Sequence, residues 1–340
     1  MPLLQPARLA DAARQYEFQP GRWVNSDPLT LAGLHGKVVL VDFWEYTCIN
    51  CIRTLPYLQA WYQRYAPYGF VIVGIHTPES QFGTRPENVI RATKELGLTW
   101  PVLLDPELKN WDAFGTNTWP HEYLFDTTGK LIEEKSGEGN YEESELRIQA
   151  ALRAAGVKAD FPVPLKPVRG MDIPGAQCYP ASPELYLGAD RGEIGNAEGY
   201  RLNQTVNYAR PAALRKDRWY LVGEWRIGHK SVETTPAPGD HSILLKYQGN
   251  NVNIVLHPPL TGPGRMVLLL DGRPLPRDFA GHHVKFTDTG EAYVTIDYPR
   301  MYDLIDSPHW GSHLLELQFQ TPGTFAYSFT FGTECQAPRG

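Results

Sequence analysis

Residues 36–58 read GKVVLVDFWEYTCINCIRTLPYL, and the fold follows from how this stretch divides. Residues 37–44 are apolar on both alternating sets apart from Lys37 at the start and Asp42, the pattern of a strand covered on both faces. Residues 51–65 then place Leu55, Leu58 and Trp61 at helical spacing. Between them stand Cys48, Ile49, Asn50 and Cys51, two cysteines separated by two residues at a strand-to-helix junction. A helix start offers unpaired backbone N–H groups and the positive end of the dipole, which favour a thiolate. One turn of helix brings the second sulfur within bonding reach of the first. Cys48 is therefore expected to attack and Cys51 to resolve the mixed disulfide.

Two other readings compete for this pair. A zinc site needs two more ligands, and Cys178 and Cys335 lie in the other half of the chain. A structural disulfide would close too small a loop to stabilise much.

Working outward, short apolar runs at 70–75, 100–104, 122–125 and 131–134 alternate with helical stretches at 87–96, 107–114 and 142–154. Asp126-Thr127-Thr128-Gly129 marks a turn between the last two strands. Strands alternating with helices predict an α/β sheet covered on both faces. Pro162, Pro164, Pro167, Pro174, Pro180 and Pro183 then mark a linker. Beyond it the pattern has period two: Leu315, Leu317 and Phe319 face one way, and Phe325, Tyr327, Phe329 and Phe331 form a second apolar row. Asp271-Gly272 and Gly249-Asn250-Asn251 are placed for hairpin turns. The expected organisation is an α/β domain over 1–158, a linker over 159–183 and an all-β sandwich over 184–340.

Composition sets outer limits. Apolar residues make up 42% and charged residues 21%, ordinary values for a folded chain. Glycine (31) and proline (29) form about 18% of the 340 residues, against a usual share of about 12%, which fits a turn-rich β half. A formal charge of −6 removes the electrostatic reason to expect nucleic acid. No run approaches the length of a membrane-spanning helix, the longest lying at 38–41 and 70–75, and the first residues lack the pattern of a signal peptide.

The stretch 36–58 resembles the thioredoxin superfamily at several independent points. Asp42 stands six residues before Cys48, where thioredoxins carry a buried carboxylate; Phe43-Trp44 follows it, and Pro56 matches the proline of the active-site helix. Pro120, after Thr118-Trp119, takes the place of the cis-proline that faces the cysteines. The long interval from Cys48 to Pro120 fits the strand and helix inserted in TlpA-like proteins. The wording around the cysteines, with Gly74-Ile75-His76-Thr77-Pro78-Glu79, is most similar to the DipZ-type branch, in which a carbohydrate-binding-module-like β-sandwich of jelly-roll kind follows. Residues 299–305 and 329–332 carry that likeness into the second half.

The resemblance implies an extracytoplasmic thiol–disulfide oxidoreductase acting on protein disulfides. It implies no cofactor and no metal. Electrons would come from a separate donor such as a CcdA-like membrane protein, because the membrane domain usual in this branch is not in this chain. It further implies that Asp42 handles the Cys51 proton, and that Trp44, Trp119 and Pro120 meet the substrate chain. Two alternatives stand beside it: a non-catalytic envelope protein that binds a glycan or partner, and a copper-handling thiol protein using His76 and His121. For Glu45 the plainer reading is a solvated loop acid, and for both histidines ordinary polar positions near strand ends. Trp219, Tyr220, Trp225, Tyr298, Tyr302 and Trp310 would serve a sugar only if they formed an exposed row; otherwise they are core. Cys178 and Cys335 are read as either a disulfide tying the ends of the sandwich or two separate buried thiols. A peroxiredoxin is excluded, since that chemistry needs threonine three residues before the attacking cysteine and Glu45 stands there.

Overall fold

The computed structural model describes residues 16–237 and 239–338. Its first part holds six strands: β1 (Arg22–Val24), β2 (Val38–Trp44), β3 (Phe70–His76), β4 (Val102–Leu104), β5 (His121–Phe125) and β6 (Leu131–Ser136). Four helices accompany them: α1 (Ile49–Tyr65), α2 (Pro86–Glu95), α3 (Lys109–Phe114) and α4 (Tyr141–Ala154). The sheet order is β1-β4-β3-β2-β5-β6, with β2, β3 and β4 parallel and β1, β5 and β6 antiparallel to their neighbours. All seven residues of β2 are buried, as a central strand covered on both faces requires. On one face Val39, Val41 and Phe43 pack with Val73, Ile75, Tyr123 and Phe125.

The expected strands and helices are present, and the differences have local causes. The edge strand β1 is too short to show a period, so its sequence gave no signal. The third helix starts two residues later than its composition suggests, because Leu108 adopts a left-handed conformation (φ 58°) before it. The turn at Asp126–Gly129 is as expected: Asp126 Oδ1 accepts from the Thr128 and Lys130 amides, and Gly129 has φ 81°.

The second part is strand-rich, with eleven strands in one hydrogen-bonded network. Two long strands, His241–His257 and Arg300–Phe319, pair along most of their length and form its spine. Leu315, Leu317 and Phe319 all enter its core. Two expectations need correction. Gly249-Asn250-Asn251 is not a turn: the strand runs through it, and the extra residues 307–310 sit on the partner strand. Gly249 has φ 147°, and a Cβ there would lie 2.5 Å from the Gly332 carbonyl. The strand Phe325–Gly332 does not keep one alternation either. Its pairing shifts register between Ile254 and Leu256, so Ala326 joins Phe329 and Phe331 in the core while Phe325 and Tyr327 are only partly buried.

Of the six aromatic rings considered for sugar stacking, Trp219, Tyr220, Trp225, Tyr298 and Tyr302 are buried. Trp310 alone is partly exposed, stacked on Tyr179 with centroids 5.3 Å apart. Cys178 and Cys335 form a disulfide between two short paired strands, which resolves the choice left open by the sequence. Contacts divide the chain into two compact units. One comprises residues up to Glu45 with Thr54–Glu138 and Glu143–Pro164, and the other Tyr46–Arg53, Gly139–Glu142 and Leu165 onward.

Candidate functional site

The cysteine pair sits where β2 ends and α1 begins. Cys48 is the residue before the helix, and its carbonyl accepts the first helical bond, from the Ile52 amide at 3.0 Å. Its sulfur accepts from the Cys51 amide at 3.3 Å. That is the geometry of an N-cap, with sulfur in the role usually taken by a serine or aspartate oxygen. Cys48 is partly exposed and Cys51 is 1% exposed. Neither cysteine is part of a disulfide. One sulfur of the pair can therefore be reached from outside, and the other is shielded. Pro56 lies inside α1, where it removes the amide that would bond the Ile52 carbonyl.

Asp42 lies on β2, wholly buried, directly opposite Glu122 of β5. Burial raises its pKa well above the usual carboxylate range; the charge of Glu122 adds to the rise and that of Lys135 opposes it. The carboxyl is thereby moved toward the range in which it can exchange a proton with a thiol.

The end of β2 departs from expectation at Glu45. It is fully buried, not solvated, with Oε1 3.8 Å from His76 Nε2. His76 is itself buried, and burial pushes its pKa down to about 3, so the ring is neutral near pH 7. Trp44 is buried against that ring, edge to face at 5.2 Å, and packs under Gly74. At 1% exposed it serves as packing here.

The Trp119–Pro120 bond is cis, as the resemblance implied, and leads into β5. Pro120 is buried, with its carbonyl taken by the Gly137 amide at 2.9 Å. Trp119 is half-buried and held from two sides: its indole N–H donates to the Thr77 carbonyl at 3.0 Å, and its ring lies 4.2 Å from that of Trp111. Thr77 and Asp105 complete this frame. The Thr77 hydroxyl donates to Asp105, whose carboxylate also accepts from the Asn110 and Trp111 amides at the start of α3. Sequence reasoning missed Asp105. Its place at the end of β4 ahead of a helix was the available signal. His121 pairs with Glu134 at 3.2 Å, and burial lowers its pKa despite that carboxylate. Among the described residues no group of three or more His, Cys, Asp or Glu side chains is placed to hold a metal ion.

Comparison with known proteins agrees with this architecture. Residues 10–134 match the AhpC/TSA family, and residues 182–332 match the thioredoxin-like C-terminal domain family. The chain is 30% identical over 314 residues to protein DipZ of Mycobacterium tuberculosis, covering 91% of this chain and 41% of DipZ. It therefore spans about two fifths of the length of that relative. It is 28% identical over 117 residues to the thiol–disulfide oxidoreductase ResA of Bacillus anthracis, covering 34% of this chain and 65% of ResA. A solved thiol:disulfide interchange protein of the thioredoxin family from Chlorobium tepidum aligns with 40% of this chain and 93% of its own, at 23% identity and a TM-score of 0.35.

Proposed function

Since the chain belongs to the thioredoxin superfamily, as a TlpA/DipZ-like protein, we propose that it is a thiol–disulfide oxidoreductase acting on the disulfides of other proteins. The observation that carries this reading is the capped, reachable sulfur of Cys48 with the shielded thiol of Cys51 one turn behind it. In the reducing direction the Cys48 thiolate attacks a substrate disulfide and expels one substrate sulfur as thiolate. The Cys51 thiol then gives its proton to Asp42, and its sulfur attacks Cys48. The Cys48–Cys51 bond forms, the bond to the second substrate sulfur breaks, and that sulfur leaves and takes up a proton. Two electrons pass from the dithiol to the substrate.

The backbone at Trp119-Pro120 is proposed to meet the substrate chain, with Trp119 adding a half-exposed ring. The electron donor is proposed to be a separate membrane protein of CcdA-like kind, and the working location the cell envelope. The Cys178–Cys335 disulfide supports that location, because such bonds persist in oxidising compartments. A glycan-binding role for the strand-rich part rests on the Tyr179–Trp310 stack alone.

The test is reduction of insulin disulfides by the full chain. Cys48→Ser should abolish it, and Cys51→Ser should accumulate a mixed disulfide through Cys48, because no thiol remains to expel the substrate. Preferential alkylation of Cys51 in the reduced protein would reverse the assignment, and turnover that survives Cys48→Ser would end it.

A further inference from the structure

Three charged side chains stand in one row across the sheet. Asp42 of β2 is directly opposite Glu122 of β5, and Glu122 is directly opposite Lys135 of β6, so all three project from the same face. Asp42 and Glu122 are 1% and 3% exposed. Lys135 Nζ is 2.8 Å from Glu122 Oε2. Two oxygens of the row, Asp42 Oδ1 and Glu122 Oε1, are buried without a hydrogen-bond partner among the described residues. An orphaned buried carboxylate oxygen is costly. With Glu122 held by Lys135, a proton taken up by Asp42 relieves the repulsion between the two carboxyl groups.

The charged groups around the row are held in pairs of their own. On its other side Asp42 faces Gly74 of β3, which brings no charge. Beside Lys135, Glu133 of β6 is taken by Arg147 of α4 at 3.2 Å, and the Ser144 hydroxyl accepts from Lys135 at 3.5 Å. Glu145 of α4 is held by Arg64 and Tyr65 of α1. His121 and Glu134 pair with each other, and strand alternation turns both to the opposite face. Cys51, whose proton the proposed function gives to Asp42, stands in the helix that follows β2.

We propose that Glu122 and Lys135 are positioning residues for the exchange reaction: the Glu122 carboxylate strengthens Asp42 as the base for the Cys51 proton, and the Lys135 ammonium limits that strength. The inference rests on the proposed function for its chemistry and on the cross-strand row for its geometry. In the resolving step the proton leaves Cys51 Sγ for Asp42, while the electrons move between sulfurs alone. Glu122 touches no reacting atom and acts through Asp42.

The experiment is the pH profile of single-turnover disulfide reduction by the full-length protein. Asp42→Asn should remove the acid limb, which identifies it. Glu122→Gln should move the limb to lower pH by roughly one unit and lower the plateau about threefold, because a weaker base remains. Lys135→Met should move the limb to higher pH. Limbs that stay at the wild-type position in both variants, or move in the same direction, would overturn the proposal, as would a limb that survives Asp42→Asn. A purely structural row would change thermal stability and leave the limbs in place.

Infrared titration of the protonated Asp42 carboxyl band, absent in Asp42→Asn, gives the same reading without turnover. It decides the matter from Glu122→Gln alone should Lys135→Met not fold. A wild-type protein that exchanges no disulfide overturns the proposed function, and the infrared band then tests the row by itself.

Discussion

The two parts of the molecule bury different kinds of side chain. In the α/β part Asp42, Glu45, His76, His121 and Glu122 are all withdrawn from water on β2, β3 and β5 or directly after β2. In the strand-rich part the core is aliphatic and aromatic, and the acid it covers, Glu316, is gripped by two nitrogens of Arg210 at 2.6 and 3.1 Å. One part leaves buried carboxylate oxygens unsatisfied, and the other satisfies its carboxylate and closes its ends with a disulfide. Uncompensated burial costs stability, so its concentration in one place marks that place for chemistry.

This contrast can be broken in graded ways. The largest expected effect falls on the strand-rich part. Replacing Cys178 and Cys335 by serine should cost about 2–5 kcal/mol, since the bond closes a long loop, while leaving insulin reduction unchanged. A loss of turnover at unchanged folding, read by circular dichroism beside the rate, would show that this disulfide serves the chemistry.

Asp42→Asn comes next and has the opposite sign. Its folded pKa is raised, so the stability that Asp42 lends is present in acid and is lost as pH rises through the raised value. The asparagine variant should therefore be more stable near neutrality, by on the order of 1–3 kcal/mol, while resolving mixed disulfides more slowly. The gain should vanish below the ordinary carboxylate range. Urea denaturation at the two pH values checks it, and a variant weaker than wild type at neutral pH would show that Asp42 is already satisfied.

His76 sharpens the comparison through acid. Its folded pKa is about 3 against an ordinary 6.5, so its contribution is present above pH 6.5 and lost as pH falls toward 3. The loss should approach about 1.4 kcal/mol per pH unit within that window. His76→Gln should flatten the corresponding limb in a melting-temperature profile; an unchanged slope would assign the acid lability to other groups. The smallest effect is expected at Arg210→Ala. Its guanidinium is half exposed, so the loss should stay below about 1 kcal/mol with no change in rate. A larger loss would mean that the strand-rich core also depends on buried charge.

Much of this was legible in residues 36–58. A continuous apolar run, a cysteine pair at a helix start and Pro56 all have local physical causes, and Asp42 stands out as a lone charge among apolar neighbours. Glu45 was not legible, because a charge beside polar loop residues reads as solvated until the packing over it is known. Glu122 and Lys135 were equally hidden. Their meaning lies in cross-strand register, which aligns residues more than ninety positions apart. In the strand-rich part, alternation predicted the face of Leu315, Leu317 and Phe319 and failed at residues 325–328, where a bulge reverses it.

A helix cap is ordinarily a fixture, but the cap of α1 is the sulfur to which the proposed function gives the attack. When Cys48 enters a disulfide, its sulfur becomes a poorer acceptor for the Cys51 amide, and the first turn of the helix loses part of its closure. Oxidation state and local helix order are therefore thermodynamically linked. Whatever free energy the capped thiolate draws from the helix end must reappear in the reduction potential, so a substitution that merely loosens the first turn of α1 would retune the electron chemistry without touching either sulfur.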